Sequence, residues 1–296
     1  MNTLYYGDNL DILRRYIKDE TVDLIYLDPP FNSQATYNVL FREQTDERAA
    51  AQIRAFEDTW TWDTDAAAAF EETVEQGGRT ASALLAFRQF LGDRNTMLAY
   101  LSMMAPRLVE MRRVLKTTGS IYLHCDPTAS HYLKILMDSI FGPETFKNEI
   151  TWRRTNAHNF KSRYFARVHD ILLFYTRSAT YTWNTLYTEY SPEQLKRFKP
   201  DKDGKLYKAE NLTMWGGNRN FEWRGTRPPA NRSWGMDKED LERLWAKGRI
   251  LKKKDGSPRM DGWLIYKDET LGTPVSDVWT DIERIANTSD ERRANI

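Results

Sequence analysis

The sequence predicts an α/β protein with a separate, loop-rich insert, and three observations predict it. Short apolar runs such as "VDLIYL", "SIYLH" and "DILLFYT" lack the alternation of a half-exposed strand, which suits strands buried on both faces. Most are separated by segments whose apolar residues recur at three- and four-residue steps, as in a sheet with helices on both faces. After residue 177 that rhythm stops, and Gly, Pro, Trp and Lys replace the apolar runs. The chain therefore divides into 1–177, carrying the sheet, an inserted module over 178–268, and a return segment over 269–296.

Taken in order, residues 2–6 are a short strand candidate, and "GDNLDILRRYI" turns it into a helix with Leu10, Leu13 and Ile17 on one face. Residues 22–27 form a strand. Residues 32–62 mix polar and aromatic residues without a period. Helices are expected over 65–75 and 81–91. The clearest helix spans 97–115, where Leu98, Leu101, Ala105, Leu108, Met111 and Leu115 make one stripe. Thr117-Thr118-Gly119 stops it, and residues 120–124 return as a strand. Residues 129–141 are helical until Gly142-Pro143, and 148–152 and 170–176 are two further strands.

Composition limits the function classes. The chain has 296 residues, of which 41% are hydrophobic and 29% charged, enough for a substantial core. No run approaches the length of a membrane span and the first ten residues lack the features of a signal peptide, so a cytoplasmic setting is expected. Cys125 is the single cysteine, which excludes an internal disulfide and a thiolate-built zinc site, and four scattered histidines offer no metal spacing. The formal net charge of +1 hides an asymmetry. Residues 151–268 carry an excess of roughly ten positive charges, balanced by the remainder, and seven of the ten tryptophans lie there. Basic and aromatic residues in one span suit a polyanion whose bases can be stacked upon.

One stretch carries chemistry. In "VDLIYLDPPFNS" a buried strand ends in Asp28-Pro29-Pro30-Phe31. Two prolines remove two backbone donors and fix two φ angles, and each pushes the residue before it into an extended conformation. The corner thus holds a carboxylate, a backbone carbonyl and an aromatic face in fixed relation, at the strand end where open α/β sheets bind ligands. Two acceptors side by side suit the two hydrogens of an exocyclic amine, with Phe31 against the ring that bears it. A rigid turn is the plainer alternative.

The residues around this corner resemble a family. "DPPF" after an apolar strand resembles the (D/N/S)-P-P-(Y/F/W) motif of amino-methylating DNA methyltransferases, and "YYGDNLDIL", "EITWRR", "VHDILLFYTRS", "EWRG" and "VSDVWTDI" continue the likeness in order along nearly the whole chain. The order is similar to that of β-group, Mod-like enzymes of restriction–modification systems. The resemblance implies a Rossmann-like methyltransferase sheet in circularly permuted order, a target-recognition region in the basic insert, and methylation of a flipped base by S-adenosyl-L-methionine, at adenine N6 ahead of cytosine N4. It implies that Asp28 and the Pro29 carbonyl, set by Pro30, hold the amine, that Phe31 stacks on the base, and that Asp8, Asp28 and Phe31 border the cofactor. For Asp8 a helix N-cap is equally open. Arg224, Arg227 and Arg232, interleaved with Trp223 and Trp234, are the expected DNA contacts.

The F-x-G-x-G motif that follows the recognition region in such enzymes does not occur in this sequence. The sheet is therefore expected to be incomplete at its C-terminal side. Expected partners are double-stranded DNA and a second polypeptide or further segment carrying that motif, with a homodimer also admitted and no membrane or metal involved. The other class of function that fits is a non-catalytic DNA-binding fragment or split subunit.

Overall fold

The structure is a computed structural model that describes residues 2–30, 61–157 and 163–282. In chain order its elements are α1 (Asn9–Tyr16), β1 (Val22–Leu27), α2 (Thr64–Glu75), α3 (Gly78–Leu91), α4 (Thr96–Val114), β2 (Leu115–Cys125), α5 (Ser130–Phe141), β3 (Phe146–Arg153) and β4 (His169–Thr176). There follow β5 (Tyr187–Thr188), α6 (Pro192–Leu195), β6 (Lys199–Pro200), β7 (Leu206–Glu210), β8 (Thr213–Trp215), β9 (Arg232–Trp234), α7 (Lys238–Ala246), β10 (Ile250–Lys252), β11 (Pro258–Tyr266), β12 (Thr273–Pro274) and β13 (Val278–Trp279). Two compact units result. One takes in the chain to Trp183 and rejoins it at Ser276; the other is Asn184–Val275.

The first unit is built on a sheet of order β1-β2-β4-β3-β13 among the described residues. β1 and β2 run parallel, with Leu27 opposite Leu123, while β4 is antiparallel to both β2 and β3. Strand alternation divides its side chains. Ile121, Leu123, Cys125, Ile171, Leu173 and Tyr175 join the large core made with α2 to α5, where Leu98, Leu101 and Leu108 of α4 are fully buried. Each such leucine contributes about 2 kcal/mol by leaving water. The other face, where helices were also expected, carries among the described residues a thinner aromatic layer instead, in which Tyr122 stacks on Phe174 at 4.5 Å and Phe174 on Trp183 at 5.8 Å.

Three expectations need correction. β1 is not buried on both faces: Ile25 and Leu27 pack on the core, but Leu24 and Tyr26 are more than half exposed. The reason is its place at the edge of the described sheet, with the described helices of the core on the opposite face. Residues 2–6 form no strand, and Leu4 and Tyr6 face solvent. The stop at Thr117-Thr118-Gly119 is an irregularity inside a longer strand, since β2 begins at Leu115 and its register with β1 shifts between Val22 and Leu24. Gly119 is required there, because a Cβ would come within 2.8 Å of the Leu115 side chain and 3.0 Å of the Asp23 carbonyl.

The second unit has its own sheet, β10-β11-β7-β6, a hairpin of β8 and β9, and a core of Leu212, Trp223, Trp234, Leu241 and Ile250. The pairing of β5 with β12 closes the unit where the chain enters and leaves it. Among the described residues no helix is long and apolar enough to cross a membrane.

Candidate active site

Parallel pairing of β1 and β2 brings their carboxyl ends to one edge of the sheet, and antiparallel β4 starts there. Asp28 follows the end of β1, His124 lies near the end of β2, and Asp170 is the second residue of β4. The His124 ring lies between the two acids. Its Nδ1 is 3.0 Å from Asp28 Oδ1 and its Nε2 is 3.4 Å from Asp170 Oδ2. The Arg154 guanidinium, just beyond β3, lies 3.4 Å from the other Asp170 oxygen. The Tyr26 hydroxyl is 3.5 Å from His124 Nδ1, and Trp152 meets the imidazole edge-on at 5.8 Å.

Burial is uneven along this row. His124 and Asp170 are buried, whereas the Asp28 side chain is 58% exposed. Burial alone would lower the His124 pKa, but hydrogen bonds to Asp170 and Asp28 and their charges outweigh it and raise it to about 9. Burial, with the charges of Asp28 and Asp170, likewise raises Tyr26 above the ordinary phenol value. Pro29 is buried, so the backbone that follows Asp28 is anchored in the fold. Phe31 lies outside the described residues.

Asp8 sits elsewhere in the same unit. It caps α1, accepting from Leu10 N at 2.8 Å, and both its oxygens accept from Arg107, at 3.0 and 2.7 Å. Arg107 is buried in α4 and also bonds Asn9 Oδ1. Cys125 is fully buried, and desolvation, then nearby carboxylates, hold its thiol far above the ordinary range, so it offers no thiolate nucleophile. Asp126 accepts from Ala129 N and starts the turn into α5. Among the described residues no group of three or more His, Cys, Asp and Glu is arranged to hold a metal.

The five residues expected to touch DNA lie in the second unit, and the structure separates them. Trp223 and Trp234, expected as DNA contacts, are core instead: both are fully buried, edge-to-face at 5.7 Å, with ring N–H groups donating to Glu242 and the Phe221 carbonyl. Arg224 is held by Glu242 at 2.6 Å and stacks on Trp245, and Arg232 donates to the hydroxyl and carbonyl of Thr213. Arg227 is the most open of the three, 68% exposed, beside Glu222. Sequence reasoning missed Trp215, which is 73% exposed on β8 with the Arg232 guanidinium 5.2 Å from its ring. His124 belongs to the Asp28 site, and its signal in the sequence is its place at the end of an apolar strand.

A family model described as "DNA methylase" (N6_N4_Mtase) matches residues 22–295. The type II methyltransferase M.EcaI of Enterobacter cloacae is 35% identical over 191 residues, which are 63% of this chain and 42% of that protein. The Mod subunit of the type III restriction-modification enzyme StyLTI, from Salmonella typhimurium, is 25% identical over 292 residues, or 95% of this chain and 41% of that protein. The type II methyltransferase M.KpnI of Klebsiella pneumoniae is 26% identical over 179 residues, or 60% and 33%. The chain spans less than half the length of these relatives.

Proposed function

The chain belongs to the DNA methylase family, and from that premise we propose that it takes part in methylating the exocyclic amine of a base in double-stranded DNA, adenine N6 ahead of cytosine N4. The observation that carries this reading is the Asp28 carboxylate, half open to solvent at the carboxyl edge of parallel β1 and β2 and backed by a buried partner. The target base must leave the duplex to reach such a group. Asp28 and the Pro29 carbonyl then accept the two amine hydrogens. Those bonds draw the nitrogen lone pair out of ring conjugation and strengthen as the nitrogen becomes tetrahedral, so they lower the barrier more than they aid binding.

The donor that the family implies, S-adenosyl-L-methionine, would supply an electrophilic methyl group. Asp28 fits a place at the amine. Asp8 caps α1 and accepts from Arg107, and its half-exposed carboxylate keeps acceptor capacity, so the cap and a place beside the cofactor are compatible.

The test is tritiated methyl transfer to unmethylated phage DNA, followed by digestion to nucleosides. Asp28→Ala is expected to reduce transfer at least about 100-fold, with DNA affinity within twofold, and the label transferred by the unaltered protein, alone or with a polypeptide carrying the F-x-G-x-G motif, should appear in N6-methyladenine. Undiminished transfer by the variant removes Asp28 from the mechanism, and label in N4-methylcytosine changes the acceptor.

A further inference from the structure

We propose that His124, held between Asp170 and Asp28, is a positioning residue that fixes the Asp28 carboxylate for the amine. The inference rests on the function proposed above for Asp28. Its basis is geometric. Each ring nitrogen of His124 faces a carboxylate oxygen, Nδ1 toward Asp28 at 3.0 Å and Nε2 toward Asp170 at 3.4 Å. An ionised carboxylate only accepts, and a neutral imidazole has a single N–H. Nδ1 lies at hydrogen-bond distance from Asp28 and the longer Nε2 contact is an attraction between charges, and the imidazolium favours both at once. Among the described residues the groups facing the ring agree: Asp28 just after β1, Asp170 from β4, the Tyr26 hydroxyl and the Trp152 edge, with the Arg154 charge behind Asp170. Charges thus alternate along the row, Asp28, His124, Asp170, Arg154. A raised His124 pKa of about 9 is the expected consequence.

Asp170 and His124 are buried, and the outermost acid stays open to solvent, where a substrate amine can reach it. That is the arrangement of a support behind a working group. A charge-assisted hydrogen bond on Oδ1 restricts the Asp28 rotamer and leaves Oδ2 as the acceptor for the substrate N–H. It also ties turnover to the charge on His124. Below about 9 the ring donates to Asp28; above it, Nδ1 or Nε2 loses its proton and one contact is lost.

The experiment has two arms. In the 15N-labelled full chain, His124 should carry protons on both ring nitrogens at pH 7.5 and titrate near 9, and Asp170→Asn should lower that midpoint. A neutral His124 at pH 7.5 in the folded protein overturns the proposal, whatever the activity. The second arm follows single-turnover methyl transfer against pH. His124→Asn should slow transfer at least tenfold with DNA affinity unchanged, and Asp170→Asn should move the alkaline limb down with the ring titration. If Asp28→Asn stops transfer while neither other variant alters rate or limb, His124 only packs, and the proposal fails although the functional reading stands. If Asp28→Asn transfers normally, the functional reading fails and takes the proposal with it. If the unaltered chain transfers no methyl group, the reading fails for this chain, and the ring-nitrogen measurement alone decides the clamp.

Discussion

Asp8 and Asp28 each stand at the junction between one element and the next segment, yet their partners give them different work. Asp8 faces a buried arginine and a helix start, so its first effect is on stability. Asp8→Ala is expected to cost about 2 kcal/mol in urea unfolding: about 1 from the lost cap and the rest from Arg107, discounted because the Asp8 side chain is half exposed. Asp8→Asn keeps the cap and should cost about half as much. A sequence can present either acid, but not its partner: Arg107 lies 99 residues from Asp8, and His124 and Asp170 lie far from Asp28. His124 leads to a further prediction about pH. Its folded pKa is raised above the ordinary value, so the native state binds the extra proton between about 6.5 and about 9. Its contribution is complete below about 6.5 and lost as pH rises through about 9. Urea midpoints should fall across that window in the unaltered protein and flatten in His124→Asn. An equal slope in both would place the titration elsewhere.

At the level of elements, most strands and helices of the first unit were legible because their periods survive in the sequence, and β4, α4 and α5 lie close to where apolar spacing puts them. What spacing cannot show is which face of a strand another layer covers, and so β1 read as buried on both faces. The same limit applied to the tryptophans. Composition says that aromatic and basic residues share a span; it does not say that Trp223 and Trp234 close a core while Trp215 remains outside it. The hairpin turn at Arg224-Gly225 explains part of the sorting. Both residues adopt positive φ, Trp223 and Thr226 exchange backbone hydrogen bonds across the turn, and the two-residue loop turns Trp223 inward. Trp223→Ala is therefore expected to destabilise the second unit by about 3–5 kcal/mol, seen as loss of its near-ultraviolet circular dichroism. Trp215→Ala should leave that signal unchanged and weaken DNA binding about tenfold, the worth of one stacked base. If Trp215→Ala binds DNA as tightly as the unaltered protein, the exposed ring is not a stacking surface.

For the molecule as a whole, charge and chain path set two units apart. The second unit begins and ends at one short ladder, where β5 pairs with β12 and Val275 N donates to the Leu186 carbonyl at 3.0 Å. Its core draws on residues of its own span. Lys and Arg outnumber Asp and Glu within it, although several, such as Arg197, Arg224 and Arg259, are engaged by nearby carboxylates. A unit closed at its neck, with its own core, should fold when excised. Residues 184–275 alone are expected to give dispersed amide spectra and buried-tryptophan fluorescence. If this unit supplies the phosphate contacts, the fragment should bind duplex DNA with a log–log salt slope steeper than about −3, since each contact adds about −0.9 by releasing a counterion. The rest of the chain, carrying the balancing acidic excess, should add little to that slope. Binding by the fragment that is indifferent to salt, or a slope for the full chain far steeper than the fragment's, would move the phosphate contacts out of this unit and into the segments around the sheet.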